Sequence, residues 1–132
     1  MKVKYFVNKE KRTITAVLEL EDTERYDVMY YASETNTDAL LLPNFYNLRL
    51  RRTYSGVATC LPEDTWDEEY GKTIARRKAY GKYLMARAKK VGQITAAIDK
   101  VWHQVNSKEI DLWNKAADYS DKTDELSGFN EE

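Results

Sequence analysis

Between Gly71 and Ile98 the chain carries no Asp or Glu but eight cations: Lys72, Arg76, Arg77, Lys78, Lys82, Arg87, Lys89 and Lys90. At about 100° per helical residue, Arg76, Tyr80, Tyr83, Arg87 and Lys90 fall in one narrow sector. Guanidinium forks match phosphate oxygens. A tyrosine ring can stack on a base or hold an arginine by cation–π attraction. That combination suits a phosphorylated small molecule, a nucleotide above all, better than bulk polyanion. The same spacing equally fits tyrosines that cover a sheet, with arginine stems along them and their heads in water. Arg77 falls instead at the angle of Trp66, Tyr70, Leu84 and Ala88, where a charge is costly unless paired. Its partner is expected to be a structural carboxylate or an anionic ligand. Upstream, "LRLRRTY" sets Arg49, Arg51 and Tyr54 near alternating positions, with Arg52 on the opposite strand face. This is a second source of anion contacts, or simply a solvated strand.

Other chemistries are poorly served. "GKT" at 71–73 lacks the upstream glycine of a phosphate loop, since position 66 is Trp, and no strand and glycine-rich loop precede it. His103 and Cys60 are the only histidine and the only cysteine, and no carboxylate spacing completes a zinc site around them. A Cys60–His103 nucleophilic pair is conceivable, but a packed strand cysteine and a histidine bordering an apolar stripe explain both. The carboxylates of "EDTWDEE" fit helix capping and solvation. No catalytic residue, metal ligand set or cofactor is expected, and the chain reads as a non-enzyme.

These residues need elements to position them. The 132 residues suit one domain with a modest core. Alternation in "KVKYFV" and "TITAVLEL", with "NKEKR" between, predicts a hairpin over 2–20. "ERYDVMYYAS" reads as strand, and "LRLRRTYSGVATC" returns to alternation. In "DTWDEE", Thr65 followed by Glu68 has the form of a capping box, so a helix is expected to start near Thr65. Trp66, Tyr70, Ile74, Gly81, Leu84, Ala88 and Val91 form its apolar side; Ile94, Ile98, Val101 and Val105 continue past Gly92 in shifted phase. One unbroken helix over 65–105 would be roughly 60 Å long, so it either breaks near Val91–Gly92 or projects and pairs with another copy. Gly81, Ala88 and Gly92 share a face without bulk, which suits a self-association seam or, at Gly92, a kink. Ser107 is expected to cap a further short helix. The fold class is therefore α+β, an N-terminal antiparallel β-sheet followed by long C-terminal helices. The expected division is a β-rich part over 1–61, a helical part over 65–119 and an acidic, disordered tail over 120–132.

The opening "MKVKYFVNKEK" has no continuous apolar core and is not expected to act as a signal peptide. No apolar run approaches the length of a membrane span. One cysteine fits a reducing cytoplasm. Net charge is −1, with five acids in "LPEDTWDEE" and five more in the tail flanking the cations. That asymmetry favours a local anion site over nucleic-acid coating.

"YSGVATCLPEDTWDEEYGKTIARRKAYGKYLMARAKK" resembles small proteins of phages and prophages of Gram-positive bacteria. It is a strand ending in G-x-A-x-C-x-P-E-D, then an acidic cap, then "GKTIARRKA" opening a basic helix. Among these it is similar to the Thoeris anti-defence sponge family. The resemblance implies a homo-oligomer in the host cytoplasm that sequesters a cyclic ADP-ribose isomer without cleaving it, in pockets at subunit junctions. Expected ligand contacts are Arg76, Arg77 and Arg87, with Arg51, for phosphates, and Tyr80, Tyr83 or Tyr54 for the base. The alternative is a phage protein that inhibits a host defence complex by direct contact, in the manner of an anti-CRISPR.

Overall fold

A computed structural model describes residues 1–126. Three antiparallel strands, β1 (Lys2–Asn8), β2 (Thr13–Glu19) and β3 (Thr53–Thr59), form a sheet in the order β1-β2-β3. Alternation places Ile14, Ala16 and Leu18 of β2 on one face, opposite Ala58, Gly56 and Tyr54 of β3, and all but the glycine are core residues. Between β2 and β3 lie α1 (Asp22–Arg25), α2 (Asp27–Glu34) and two 3-10 turns, Asp38–Leu41 and Phe45–Leu48. A single helix, α3 (Glu68–Leu126), follows. The α+β architecture expected above is what the chain adopts.

The chain divides into two compact units, Met1–Thr95 and a second beginning at Ala96. In the first, α3 meets the sheet through Ala75, Ala79 and Tyr83, all buried. The approach is close enough that a Cβ on Gly56 would lie 2.5 Å from both the Ala75 carbonyl oxygen and the Ala79 nitrogen. Glycine is needed there for space. In the second unit, α3 carries local pairs, His103 to Asp99 at 3.4 Å and Lys122 to Asp118 at 3.2 Å.

The structure corrects several expectations. "ERYDVMYYAS" is helical, not a strand. Val28, Met29 and Ala32 turn inward from α2, and the hydroxyls of Thr35 and Thr37 donate to carbonyls near its C-terminal end, at Tyr31 and Ala32. Tyr30 and Tyr31, whose types suggested a strand, stay exposed. β3 begins at Thr53, so Arg49, Arg51 and Arg52 precede it. Thr65 does not cap α3. The helix starts at Glu68, and the Asp67 carboxylate accepts the Tyr70 N–H at 3.0 Å. Gly92 does not break α3, Ser107 does not start a new helix, and residues 120–126, expected to be a disordered tail, continue it. Residues 127–132 of that expected tail lie outside the described residues.

The largest correction concerns helix phase. Ala75, Ala79 and Tyr83 lie nearly half a turn, at about 100° per residue, from the side assigned to the core. Tyr70 is exposed and Leu84 is 43% exposed. Small residues let the helix backbone rest on Gly56, so the closest face is the one with the least bulk. Arg77 consequently lies on an exposed face and needs no buried partner.

Candidate functional site

The helix side that carries Arg76, Tyr80, Tyr83, Arg87 and Lys90 meets a different neighbour at each step. Arg76 and Tyr80, joined by Arg77, line a depression of about 460 Å³ whose floor is Met1, Val3, Leu18, Gly81 and Leu84. Tyr83 is buried, only 5% exposed, with its ring 5.9 Å from Tyr54 and 5.7 Å from Tyr80. Burial pushes its phenol pKa up, against the lowering influence of Arg87. Arg87 forms an ion pair with Asp27 of α2 at 2.5 Å and lines a separate groove of about 610 Å³ with Tyr30, Tyr31 and Val91. The Lys90 ammonium donates to the Asn47 carbonyl.

Arg51 and Tyr54 are placed elsewhere again, in a depression of about 260 Å³ with Lys82 and Lys89. The Arg51 guanidinium lies 5.0 Å from the Tyr54 ring centroid, and the Arg51 N–H donates to the Tyr54 hydroxyl at 3.2 Å. The seven expected residues therefore do not converge. Tyr54 and Tyr83 are core residues and present no face to a base, while Arg87 has a carboxylate partner. What remains together is Arg76, Arg77 and Tyr80. Neither guanidinium has a carboxylate partner among the described residues, both are exposed, and the Tyr80 ring is 46% exposed. Two unneutralised cations beside an open phenol, over an apolar floor, can hold an anion that carries a flat apolar body.

A fourth depression, of about 370 Å³, escaped sequence reasoning. It opens between the end of β3 and the start of α3, among Cys60, Asp64, Trp66, Tyr70 and Lys78, over Ile14, Ala58 and Ile74. Arg12 of the first hairpin shapes it. Held at φ 53°, Arg12 donates through Nη2 to the Cys60 sulfur at 3.1 Å and to the carbonyls of Leu61 and Asp64. Its own carbonyl accepts the Cys60 N–H at 2.8 Å. The "NKEKR" turn signal placed Arg12 but said nothing of a partner nearly fifty residues away.

His103 packs its ring against Trp102 and pairs with Asp99, an arrangement local to the second unit. Among the described residues no group of three or more His, Cys, Asp or Glu is arranged to hold a metal ion. No helix among them is long and apolar enough to cross a membrane. Comparison with protein families, curated proteins and solved structures finds no match for this chain.

Proposed function

We propose that this chain is a phage anti-defence protein acting in the host cytoplasm. In this reading it binds a cyclic nucleotide immune signal of the cyclic ADP-ribose isomer type, holds it without cleaving it, and so blocks effector activation. The observation that carries the reading is the depression at Arg76, Arg77 and Tyr80, where two guanidiniums with no carboxylate partner among the described residues flank an exposed phenol above apolar residues. A cyclic ADP-ribose isomer supplies the complement, a pyrophosphate for the arginines and an adenine for the ring.

One protomer leaves this depression open, whereas a scavenger must enclose what it holds. Enclosure by a second copy is supported by α3. Leu84, Val91, Ile98, Val105, Leu112 and Tyr119 recur every seven residues, and all except Val91, which is half-buried, are exposed. A strict seven-residue apolar repeat is the pattern by which helices supercoil in pairs or larger sets. Leu84 is also part of the depression's floor, so a helix seated on it walls the site.

Calorimetry with cyclic ADP-ribose isomers tests the reading, together with recovery of intact ligand from heated complex. The wild type is expected to bind and to release unchanged ligand. The double variant R76A/R77A is expected to lose affinity by about a hundredfold or more, from loss of two charge-assisted hydrogen bonds worth roughly 1.5–3 kcal/mol each. Absence of binding to every cyclic ADP-ribose isomer, cyclic dinucleotide and cyclic trinucleotide would reject it, and release of a linear product would make the protein an enzyme.

A further inference from the structure

Two stretches of the chain contain no Asp or Glu, 39–62 and 71–98, and both contribute to the depression of about 260 Å³ that holds Arg51, Lys82 and Lys89. Lys82 and Lys89 stand seven residues apart, on one side of α3 at about 100° per residue, with Met85 and Ala86 between them. Arg51 comes from the chain just ahead of β3. Other cations close by in sequence are satisfied. Arg52 pairs with Asp22 at 3.7 Å and Arg87 with Asp27 at 2.5 Å, while the ammonium groups of Lys78 and Lys90 donate to the carbonyls of Val57 and Asn47. Arg51, Lys82 and Lys89 are exposed, and none of them has a carboxylate partner among the described residues. Among those residues no acid lines the depression, so three positive charges act on one small volume without local neutralisation.

Arg51 is already held in place. Its guanidinium lies over the Tyr54 ring, 5.0 Å from the centroid, and its backbone N–H donates to the Tyr54 hydroxyl at 3.2 Å. Tyr54 is itself fixed, 3% exposed and edge-on to the Tyr83 ring. Cation–π contact leaves the N–H groups of a guanidinium free to meet oxyanions, and a side chain already ordered loses less freedom on binding. Tyr54 has no open face on which a base could stack, which separates this depression from the one at Arg76, Arg77 and Tyr80.

We propose that this depression binds a compact polyphosphate anion, one without a base or other flat apolar body. The Arg51 fork takes two oxygens of one phosphate, and the two ammonium groups, on flexible stems, reach neighbouring phosphates as point charges. A rise of about 1.5 Å per residue sets the Lys82 and Lys89 backbones roughly 10 Å apart, a span that favours several linked phosphates over one. The inference does not rest on the nucleotide reading, since it uses another side of α3. Arg76 and Arg77 lie about 120° and 140° from Lys82 around the helix.

Calorimetric titration of the full chain with sodium tripolyphosphate at low salt tests it. Saturable binding is expected, with Kd near or below about 1 mM and weakening as salt rises. K82Q/K89Q and R51Q change only exposed side chains, and are expected to weaken binding about tenfold and about fivefold. K9Q/K11Q removes as much charge from the β1–β2 turn as K82Q/K89Q does from α3, and is expected to bind as wild type. No saturable binding overturns the proposal, as does equal weakening in K82Q/K89Q and K9Q/K11Q, which would reduce the effect to net charge. Binding lost in R76A/R77A but kept in K82Q/K89Q and R51Q would place the anion in the other depression. Tighter binding of N-acetyl-Glu-Glu-Glu-amide than of tripolyphosphate would make the site one for acidic peptide. Either result also overturns the proposal.

Discussion

Replacing Val105 and Leu112 together with Asp is the sharpest test of self-association through α3. The two residues are 63% and 52% exposed in the single chain, and their spacing of seven puts them on one side of α3, along the proposed seam. Fully burying such a side chain contributes about 1.5–3 kcal/mol, and roughly half of that remains to be gained here. Two residues in each of two copies then contribute about 3–6 kcal/mol to a dimer. At 1.4 kcal/mol per tenfold, losing this term weakens the dimer by about two to four orders of magnitude, before any repulsion between the new carboxylates. Sedimentation velocity across a dilution series reads the effect directly. The wild type is expected to exceed the 15.4 kDa of one chain, and the V105D/L112D variant to sediment as a monomer. N114D, two positions past Leu112 and off the seam, serves as control and is expected to behave as wild type. A wild type that is monomeric at every concentration refutes the reasoning, as does equal dissociation in V105D/L112D and N114D.

Two predictions bear on stability. Gly56→Ala pushes a Cβ to within 2.6 Å of helix atoms, two of them backbone, so α3 must shift, and the cost is expected near the upper end of about 1–3 kcal/mol for overpacking. Gly81→Ala meets nothing within 4 Å and is expected to stabilise the isolated chain by up to about 1 kcal/mol through helix propensity; chemical denaturation compares the two. Glu24 accepts the Glu21 N–H at 2.9 Å and pairs with the Met1 ammonium at 3.0 Å, which hold its carboxyl below the usual 4.5. That stabilisation is present above the unfolded value and fades as pH falls through the lowered folded one. E24Q should therefore be less stable than wild type at pH 7, with the gap closing below about pH 4; parallel gaps at both pH values would contradict this.

The strands were legible because period-two alternation reports burial directly. "TITAVLEL" puts Ile14, Ala16, Leu18 and Leu20 inside, and the turn chemistry of "NKEKR" closes the hairpin. The existence of a long helix was legible for a similar reason, from the change after residue 65 to apolar residues at helical spacing. Its phase was not. A wheel weighted by bulk points Leu84 and Tyr70 inward, but contact was decided by Gly56, Ala75 and Ala79, which carry almost no hydrophobic signal. The 22–48 segment misled because Val28, Tyr30 and Tyr31 favour strands locally. Its helix is held by groups distant in sequence, such as Leu50, whose N–H donates to the Arg25 carbonyl at 2.9 Å. The candidate site suffered from the same cause. Residues that share a helix side touch whatever lies beneath them, and beneath Tyr83 lies the core, whereas beneath Arg87 lies Asp27.

The phase of α3 has a consequence for function. Turning Ala75 and Ala79 onto the sheet leaves Leu84 and Ala88 exposed and Gly81 only half-buried, the residues that a bulk-weighted wheel assigns to a core. A run of apolar residues at regular helical spacing that its own fold leaves exposed offers a surface on which another helix can pack. In Leu84 and Val91 that periodicity falls at the same spacing as Ile98, Val105 and Leu112 of the second unit. A second helix that covers Leu84 also covers the floor on which Arg76, Arg77 and Tyr80 stand. In the proposed reading assembly and ligand enclosure depend on one apolar repeat, so V105D/L112D, which changes neither arginine, is expected to reduce nucleotide affinity along with subunit affinity. If it abolished assembly and left the ligand affinity intact, the depression would have to work as an open surface in a single chain, and the case for a sequestering protein would lose its physical basis.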